Sequence, residues 1–261
     1  MNRFVGKTIM VTGAAGGIGR SLCQLFAEEG AKIAALDRDV GVSDFVHSLT
    51  ESGYEASAAI ADIALQTEVD AGVEALREKL GPIDILVNNA RFSSALNLES
   101  TSAQSWCADL QCNLTGAYHC TSAVLSDMKR SNAGSIVNIG SVNGTTALGD
   151  PAYSAAKAGL ISYTKSIAVE FGRYGIRANI ICPGTVRTPI WHERVKKKPD
   201  LLSALVKWYP LGRVVEPIEI ARVAAFLASD DASAISGATV PVDCGLSAGN
   251  LIMARELTVD A

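Results

Sequence analysis

The sequence predicts one α/β domain over residues 1–261, a doubly wound parallel sheet with helices on both faces. Two observations lead there. Short apolar runs alternate with helical patterns along most of the chain, the order that builds a parallel sheet. The first apolar run leads straight into a glycine-rich turn and then a helix. Composition agrees: 48% hydrophobic and 19% charged residues suit one full core.

In order, residues 7–12 (KTIMVT) form a buried strand, followed by GAAGGIG. A helix follows with Leu22, Leu25 and Phe26 on one face and Gly30 as its stop. Residues 32–36 form a second strand that ends on Asp37. Residues 56–61 form a strand ending at Asp62 and Ile63; Gln66–Leu80 is a helix closed by Gly81 and Pro82. Residues 83–87 form a strand ending in Asn88, Asn89 and Ala90, and a long helix spans roughly 102–128, with Asn113 inside it. Gly134–Ile139 is a strand, 152–174 a helix, and 177–182 a strand ending in Pro183 and Gly184. Residues 185–211 lack a steady period and are expected to form a mobile lid of short helices and loops. Pro217–Ala228 is helical, 238–242 the last strand, and the remainder a tail.

Strand, glycine turn, helix, strand, acid is the mononucleotide-binding unit of a Rossmann-like sheet. Gly13 permits the tight turn, Gly17 lets the backbone approach a pyrophosphate, and Gly19 lets helix and strand pack closely. The helix N-terminus then offers unpaired N–H groups to the phosphates. Asp37 stands where a carboxylate accepts hydrogen bonds from the adenosine ribose and repels a 2′-phosphate, so NAD(H) is preferred over NADP(H). Arg38 softens that repulsion in part.

Tyr153 and Lys157 are four residues apart, one turn apart on one helix face. A phenol has a reference pKa of about 10, and a nearby ammonium group lowers it toward the range useful for proton exchange. Ser141 follows the strand Gly134–Ile139, so its hydroxyl lies at the carboxyl edge of the sheet, where open α/β sheets place ligands.

The net charge of −4 leaves no basic footprint for nucleic acid. No apolar run reaches membrane-spanning length, and no signal-peptide pattern begins the chain. Six cysteines without CxxC spacing read as reduced thiols in a cytoplasm. Three scattered histidines argue against a dedicated metal site.

With these residues in hand, the chain resembles the small, single-domain short-chain dehydrogenases/reductases over nearly its whole length. TGAAGGIG (Thr12–Gly19) resembles the family's TGxxxGIG, and Asn88-Asn89-Ala90 its NNAG. Asn113 lies in a similar W…NLTG context; Ser141 with Tyr153 and Lys157 resembles its serine and YxxxK, and Pro183-Gly184 its PG. The resemblance implies Tyr153 as general acid/base, with Lys157 binding the nicotinamide ribose and lowering the tyrosine pKa. It implies Ser141 on the substrate oxygen and Asn113 supporting a water next to Lys157. It further implies cofactor contacts at Ile18, Asp62, Ile63, Asn89, Ala90, Pro183, Gly184, Val186 and Thr188. Ala15 stands where NADP-preferring relatives often carry a basic residue. The implied activity is hydride transfer between NAD(H) and a secondary alcohol or ketone. The implied assembly is a homotetramer or homodimer, paired through the helix 152–174 and the one before it. The alternative is a catalytically silent, cofactor-binding regulatory protein of the same fold. A methyltransferase has no need of Ser141, Tyr153 and Lys157 together, and the longer epimerases need an added domain.

Two residues depart from the family pattern. Arg91 replaces the glycine of NNAG, and Cys244 replaces one of VDGG and is expected to serve packing. Substrate contacts are expected at Arg91, Ser141, Tyr153 and Trp191. Arg91, with Arg187, His192, Arg194 and Lys196–Lys198 of the lid, raises an anionic substrate; Trp191, Trp208 and Leu148 suit a neutral ketone.

Overall fold

The computed structural model describes residues 2–189, 191, 196 and 200–258, with Leu202 by its backbone alone. Of the expected lid, residue 190, His192, Glu193, Arg194, 195 and 197–199 lie outside the described residues.

Seven strands form one sheet: β1 Thr8–Thr12, β2 Lys32–Asp37, β3 Ala56–Ile60, β4 Ile85–Asn88, β5 Gly134–Ile139, β6 Ile176–Pro183 and β7 Thr239–Val242. They lie in the order β3-β2-β1-β4-β5-β6-β7, all parallel. The order reverses between β1 and β4, where the carboxyl ends open a crevice for a ligand. The five inner strands are largely buried on both faces, the edge strands β3 and β7 only in part, and alternation sends neighbours to opposite cores. Ile9 and Val11 of β1 join a core with Leu22, Phe26, Phe45, Ile220 and Ala224. Met10 joins the other, with Val69, Val73, Leu76, Val124 and Met128.

The helices on one face are α1 Gly17–Glu28, α2 Val42–Glu51 and Pro217–Ala228; on the other lie α3 Gln66–Leu80, α5 Gly116–Ser131 and α6 Pro151–Phe171. The sequence reading names no helix at α2. Val42, Phe45, Val46 and Leu49 carry its buried stripe at helical spacing. The tail also needs correction, since Leu251–Thr258 is a helix with no buried residue.

The long helix expected over 102–128 is a rod of three pieces. α4 Ala103–Leu110 begins at Ser102, whose hydroxyl accepts from Ser105 N. A π-helical turn, Gln111–Thr115, follows and leads directly into α5. Such turns insert one residue into the helical phase and occur often at functional sites.

Candidate active site

The glycine loop is built for close approach. A Cβ on Gly13 would lie 2.7 Å from Ala90 Cα, and one on Gly19 would lie 2.1 Å from Gly13 O. Gly13 also has φ +65°, which suits glycine. Gly17 faces the chain after β6: its Cβ would lie 2.8 Å from Pro189 Cδ and 3.1 Å from Thr188 Cβ. Ile18 is half-buried beside that core, and α1 begins at Gly16 with no side-chain cap, leaving its first N–H groups open toward the crevice. Asp37 ends β2, and its carboxylate accepts from Ala15 N at 2.9 Å and Asp39 N at 3.0 Å. This cradle of absent Cβ atoms, free helix N–H groups and one carboxylate fits a dinucleotide.

Thr12 ties the loop to the end of β4. Its hydroxyl accepts from Asn89 N and Ala90 N, both at 3.0 Å, and Asn89 Nδ2 donates to Thr12 O and Gly13 O. Asp62 has Arg38 at 3.9 Å. Ile63 packs against Gly116, and its carbonyl lies 2.8 Å from His119 Nδ1. Pro183 ends β6 beside Val242. Gly184 fits against Asp243 and Tyr209. Val186 pairs with Val215 in an isolated parallel bridge, and Thr185 N donates to the Tyr209 hydroxyl at 2.9 Å. Both ends of segment 185–211 are therefore anchored. Trp191 is half-buried and Trp208 exposed.

Ser141, Tyr153 and Lys157 come together at the carboxyl end of β5. Ser141 is buried; its Oγ accepts from Asn143 N at 3.1 Å and also hydrogen-bonds the Tyr153 hydroxyl. Asn143 Nδ2 donates to Gly149 O at 3.2 Å, which holds the turn before α6. Tyr153 is half-buried on α6. Lys157 is 2% exposed; its Nζ donates to Ile139 O at 2.8 Å and lies 5.6 Å from the centre of the Tyr153 ring. Gly144 and Gly159 let neighbours close on this helix, Gly144 against the Lys157 backbone and Gly159 against Leu114.

Beneath it runs a buried relay of amides. Asn88 Nδ2 donates to Asn138 Oδ1 at 2.9 Å, Asn138 Nδ2 to Thr164 Oγ1 at 2.8 Å, and Thr164 Oγ1 to Leu160 O at 2.7 Å. It joins β4, β5 and α6, and so fixes the helix that carries Tyr153 and Lys157 against the sheet. Sequence reasoning missed Asn138, Thr164 and Asn143; Asn138, a polar residue inside an apolar strand run, carried an available signal, while Thr164 on α6 and Asn143 in the turn after β5 carried none.

Asn113 is buried in the π-turn. Its Nδ2 donates to Phe92 O at 2.7 Å and Asp109 O at 2.8 Å, while its Oδ1 accepts from Phe92 N at 3.1 Å. Its carboxamide thus clamps the loop that carries Arg91. Arg91 itself is exposed.

The site's electrostatics differ from the sequence expectation. Burial raises the Tyr153 pKa, and Asp150 and Cys182 push the same way; the Arg91 charge and the Ser141 hydrogen bond oppose it. The net direction is upward, whereas Lys157 alone was expected to bring it down. Lys157 is itself lowered to about 8, first by burial, then by Arg91, with Cys112 and Cys182 opposing. Cys244 takes φ +54°, a left-handed conformation that explains why a glycine suits this position better.

A family profile described as Enoyl-(Acyl carrier protein) reductase matches residues 13–247. An oxidoreductase of Schizosaccharomyces pombe is 42% identical over 253 residues, covering 97% of this chain and 95% of the relative. A crystal structure of an oxidoreductase of the short chain dehydrogenase/reductase family from Burkholderia thailandensis is 45% identical, with TM-score 0.90 and 98% of each chain covered. A gluconate 5-dehydrogenase from Burkholderia cenocepacia, in complex with NADP and tartrate, is 31% identical, with TM-score 0.89 and coverage of 95% of this chain and 97% of the other. The chain belongs to the short-chain dehydrogenase/reductase family, and it is an oxidoreductase of that family. No helix among the described residues is long and apolar enough to cross a membrane.

Proposed function

We propose that the protein is an NAD-dependent alcohol dehydrogenase or ketone reductase acting on a secondary alcohol or ketone. The observation that carries this reading is the meeting of Tyr153, Ser141 and Lys157 at the end of β5, beside the dinucleotide cradle. The nicotinamide, when bound, supplies the hydride to a carbonyl carbon or takes it from a carbinol carbon. Tyr153 gives the carbonyl oxygen its proton as the C–H bond forms and the C=O π bond breaks, and takes that proton back in the oxidation direction. Ser141 donates a hydrogen bond to the same oxygen. Lys157 serves the ribose hydroxyls and, once they replace Ile139 O as a partner, lends its charge to the tyrosine. Gly13, Gly17 and Gly19 admit the pyrophosphate, and Asn89, Ala90, Pro183, Gly184, Val186 and Thr188 line the remaining length of the cofactor.

Asp37 supports NAD(H): its carboxylate, held toward the glycine loop by Ala15 N, meets the ribose hydroxyls and repels a 2′-phosphate. The gluconate 5-dehydrogenase binds NADP, so the two cofactors need direct comparison. A kcat/KM ratio tenfold in favour of NADPH, about 1.4 kcal/mol, overturns the assignment. We read residues 185–211 as the substrate lid, with Thr188 over Gly17 at its base, and Trp191 as one of its substrate contacts. The protein is further read as a cytoplasmic homotetramer or homodimer; the exposed Tyr118 on α5 and Val169 on α6 support self-association through these helices.

The test of the chemistry is Tyr153→Phe, which keeps the ring and removes the proton. NADH binding persists and turnover falls by roughly 10²–10⁴-fold, the usual contribution of a positioned acid/base. Turnover within threefold of wild type refutes the role. Cofactor binding without turnover of any alcohol or ketone by the wild type supports the silent regulatory alternative.

A further inference from the structure

We propose that Arg91 binds an anionic group of the substrate, a carboxylate close to the reacting carbon. This rests on the reading of Tyr153 as the proton partner of that carbon's oxygen.

Residue 91 is held between two clamps. On one side Ala90 N donates to Thr12 Oγ1 at 3.0 Å. On the other, Phe92 bonds Asn113 through both its N–H and its carbonyl, at 3.1 and 2.7 Å. The same loop reaches the turn before α6, where Asp150 N donates to Leu96 O at 3.0 Å. The Arg91 backbone is thus fixed at the lip of the crevice while its side chain stays exposed.

Two arginines serve this loop, and they are treated differently. Arg38 lies 3.9 Å from the Asp62 carboxylate and 5.6 Å from the centre of the Phe92 ring. Arg91 makes no ion pair and no side-chain hydrogen bond among the described residues. Its charge nevertheless acts on the Tyr153 phenol, and it repels the Lys157 ammonium. Among the described residues Lys157 donates to a carbonyl, Ile139 O, and pairs with no carboxylate.

The groups that act on this pair from the surrounding elements are few. β6 gives Cys182, the π-turn gives Cys112, and the turn before α6 gives Asp150. Burial raises both thiols, so they are neutral near pH 7. Two cations therefore share a half-buried tyrosine with one acid, Asp150. An anion placed between Arg91 and Tyr153 relieves the repulsion between the cations. A carboxylate also matches the guanidinium fork as a bidentate, charge-assisted pair.

The test uses the full chain saturated with NADH. Malonate is the anionic probe and malonamide its uncharged counterpart. Their Kd values are measured by titration calorimetry in the wild type and in Arg91→Gly, Arg91→Gln and Arg91→Lys. Malonate binding weakens at least tenfold in the Gly and Gln variants, and the Lys variant falls between them and the wild type. In parallel, the ratio of kcat/KM for 3-oxobutanoate over its methyl ester falls at least tenfold in Arg91→Gly. Equal malonate affinity in wild type and Arg91→Gly, or no malonate binding to the wild type, overturns the proposal. NADH binding and reduction of neutral ketones, without any preference for the acid, removes Arg91's role and leaves the reductase reading intact. Failure to reduce any carbonyl compound strikes that reading, while the calorimetry still judges Arg91.

Discussion

Replacing Lys157 by methionine keeps the length of the side chain and removes its charge. In the cofactor-free protein this ammonium is buried and its pKa drops from 10.5 to about 8. Each pH unit is about 1.4 kcal/mol, so holding the charge at neutral pH costs about 3 kcal/mol of folding stability. The sign follows from proton binding. Between pH 8 and 10.5 the unfolded chain keeps a proton that the folded chain has lost, so the penalty fades as pH rises through that window. Lys157→Met abolishes the penalty but orphans the Ile139 carbonyl, at a cost of about 1–3 kcal/mol. The variant is then about 0–2 kcal/mol more stable than wild type at pH 7. By pH 9.5 the Lys157 penalty has shrunk to about 1 kcal/mol, so that advantage falls by about 2 kcal/mol. Urea unfolding of both proteins without cofactor, at one protein concentration and at several pH values from 7 to 9.5, measures this. A stability difference that stays constant across this range refutes the argument.

Two further outcomes bear on the framework. Gly19→Ala forces a Cβ to within 2.1 Å of Gly13 O, a backbone clash, and costs about 1–3 kcal/mol of stability. A fluorescence titration with NADH shows at least tenfold weaker binding, and normal affinity counts against the close-packed turn. Asp127 is a buried carboxylate at the far end of the sheet, accepting from Arg77 Nε at 3.0 Å, Ile83 N at 3.1 Å and Arg130. Asp127→Ala removes the partner of the buried Ile83 N and of Arg77 Nε, and costs about 3 kcal/mol in urea unfolding. Its kcat/KM below the unfolding temperature stays within threefold of wild type, because the site lies at the opposite edge.

The fold was legible because a parallel sheet needs strands that are apolar throughout, and each such run stands out between helical periods. α2 also carried a readable stripe at Val42, Phe45, Val46 and Leu49, but it starts at Gly41 without a capping side chain to mark it. The C-terminal helix was harder to read, since Leu251–Thr258 spans only eight residues and none of them is fully buried. At the site, spacing put Tyr153 and Lys157 on one helix face and the strand before Ser141 put it at the sheet's carboxyl edge, while their singling out rested also on the motifs around them. Their electrostatics were not legible: burial dominates both groups, Lys157 is held by Ile139 O, and the Arg91 charge acts on the phenol from another loop. The amide relay through Asn88, Asn138 and Thr164 depends on strand register, which single-strand patterns do not record.

The π-turn at Gln111–Thr115 takes up one residue more than a regular α-helical turn, and that extra residue is what places Asn113 against Phe92. Surface loops absorb insertions and deletions with little consequence. Within this rod, loss of one residue from the π-turn with relaxation to regular α-helix would leave α5 nearly in phase with α4, whereas loss of one residue from the regular helix of α4 would turn everything downstream by about 100°. The deletion in α4 would swing Thr121, Val124 and Met128 off the sheet, and the deletion in the π-turn would cost Asn113 its bonds to Phe92. Length variation in descendants of this chain therefore belongs on either side of the rod, and an engineer shortening the protein should leave residues 103–131 at their present count.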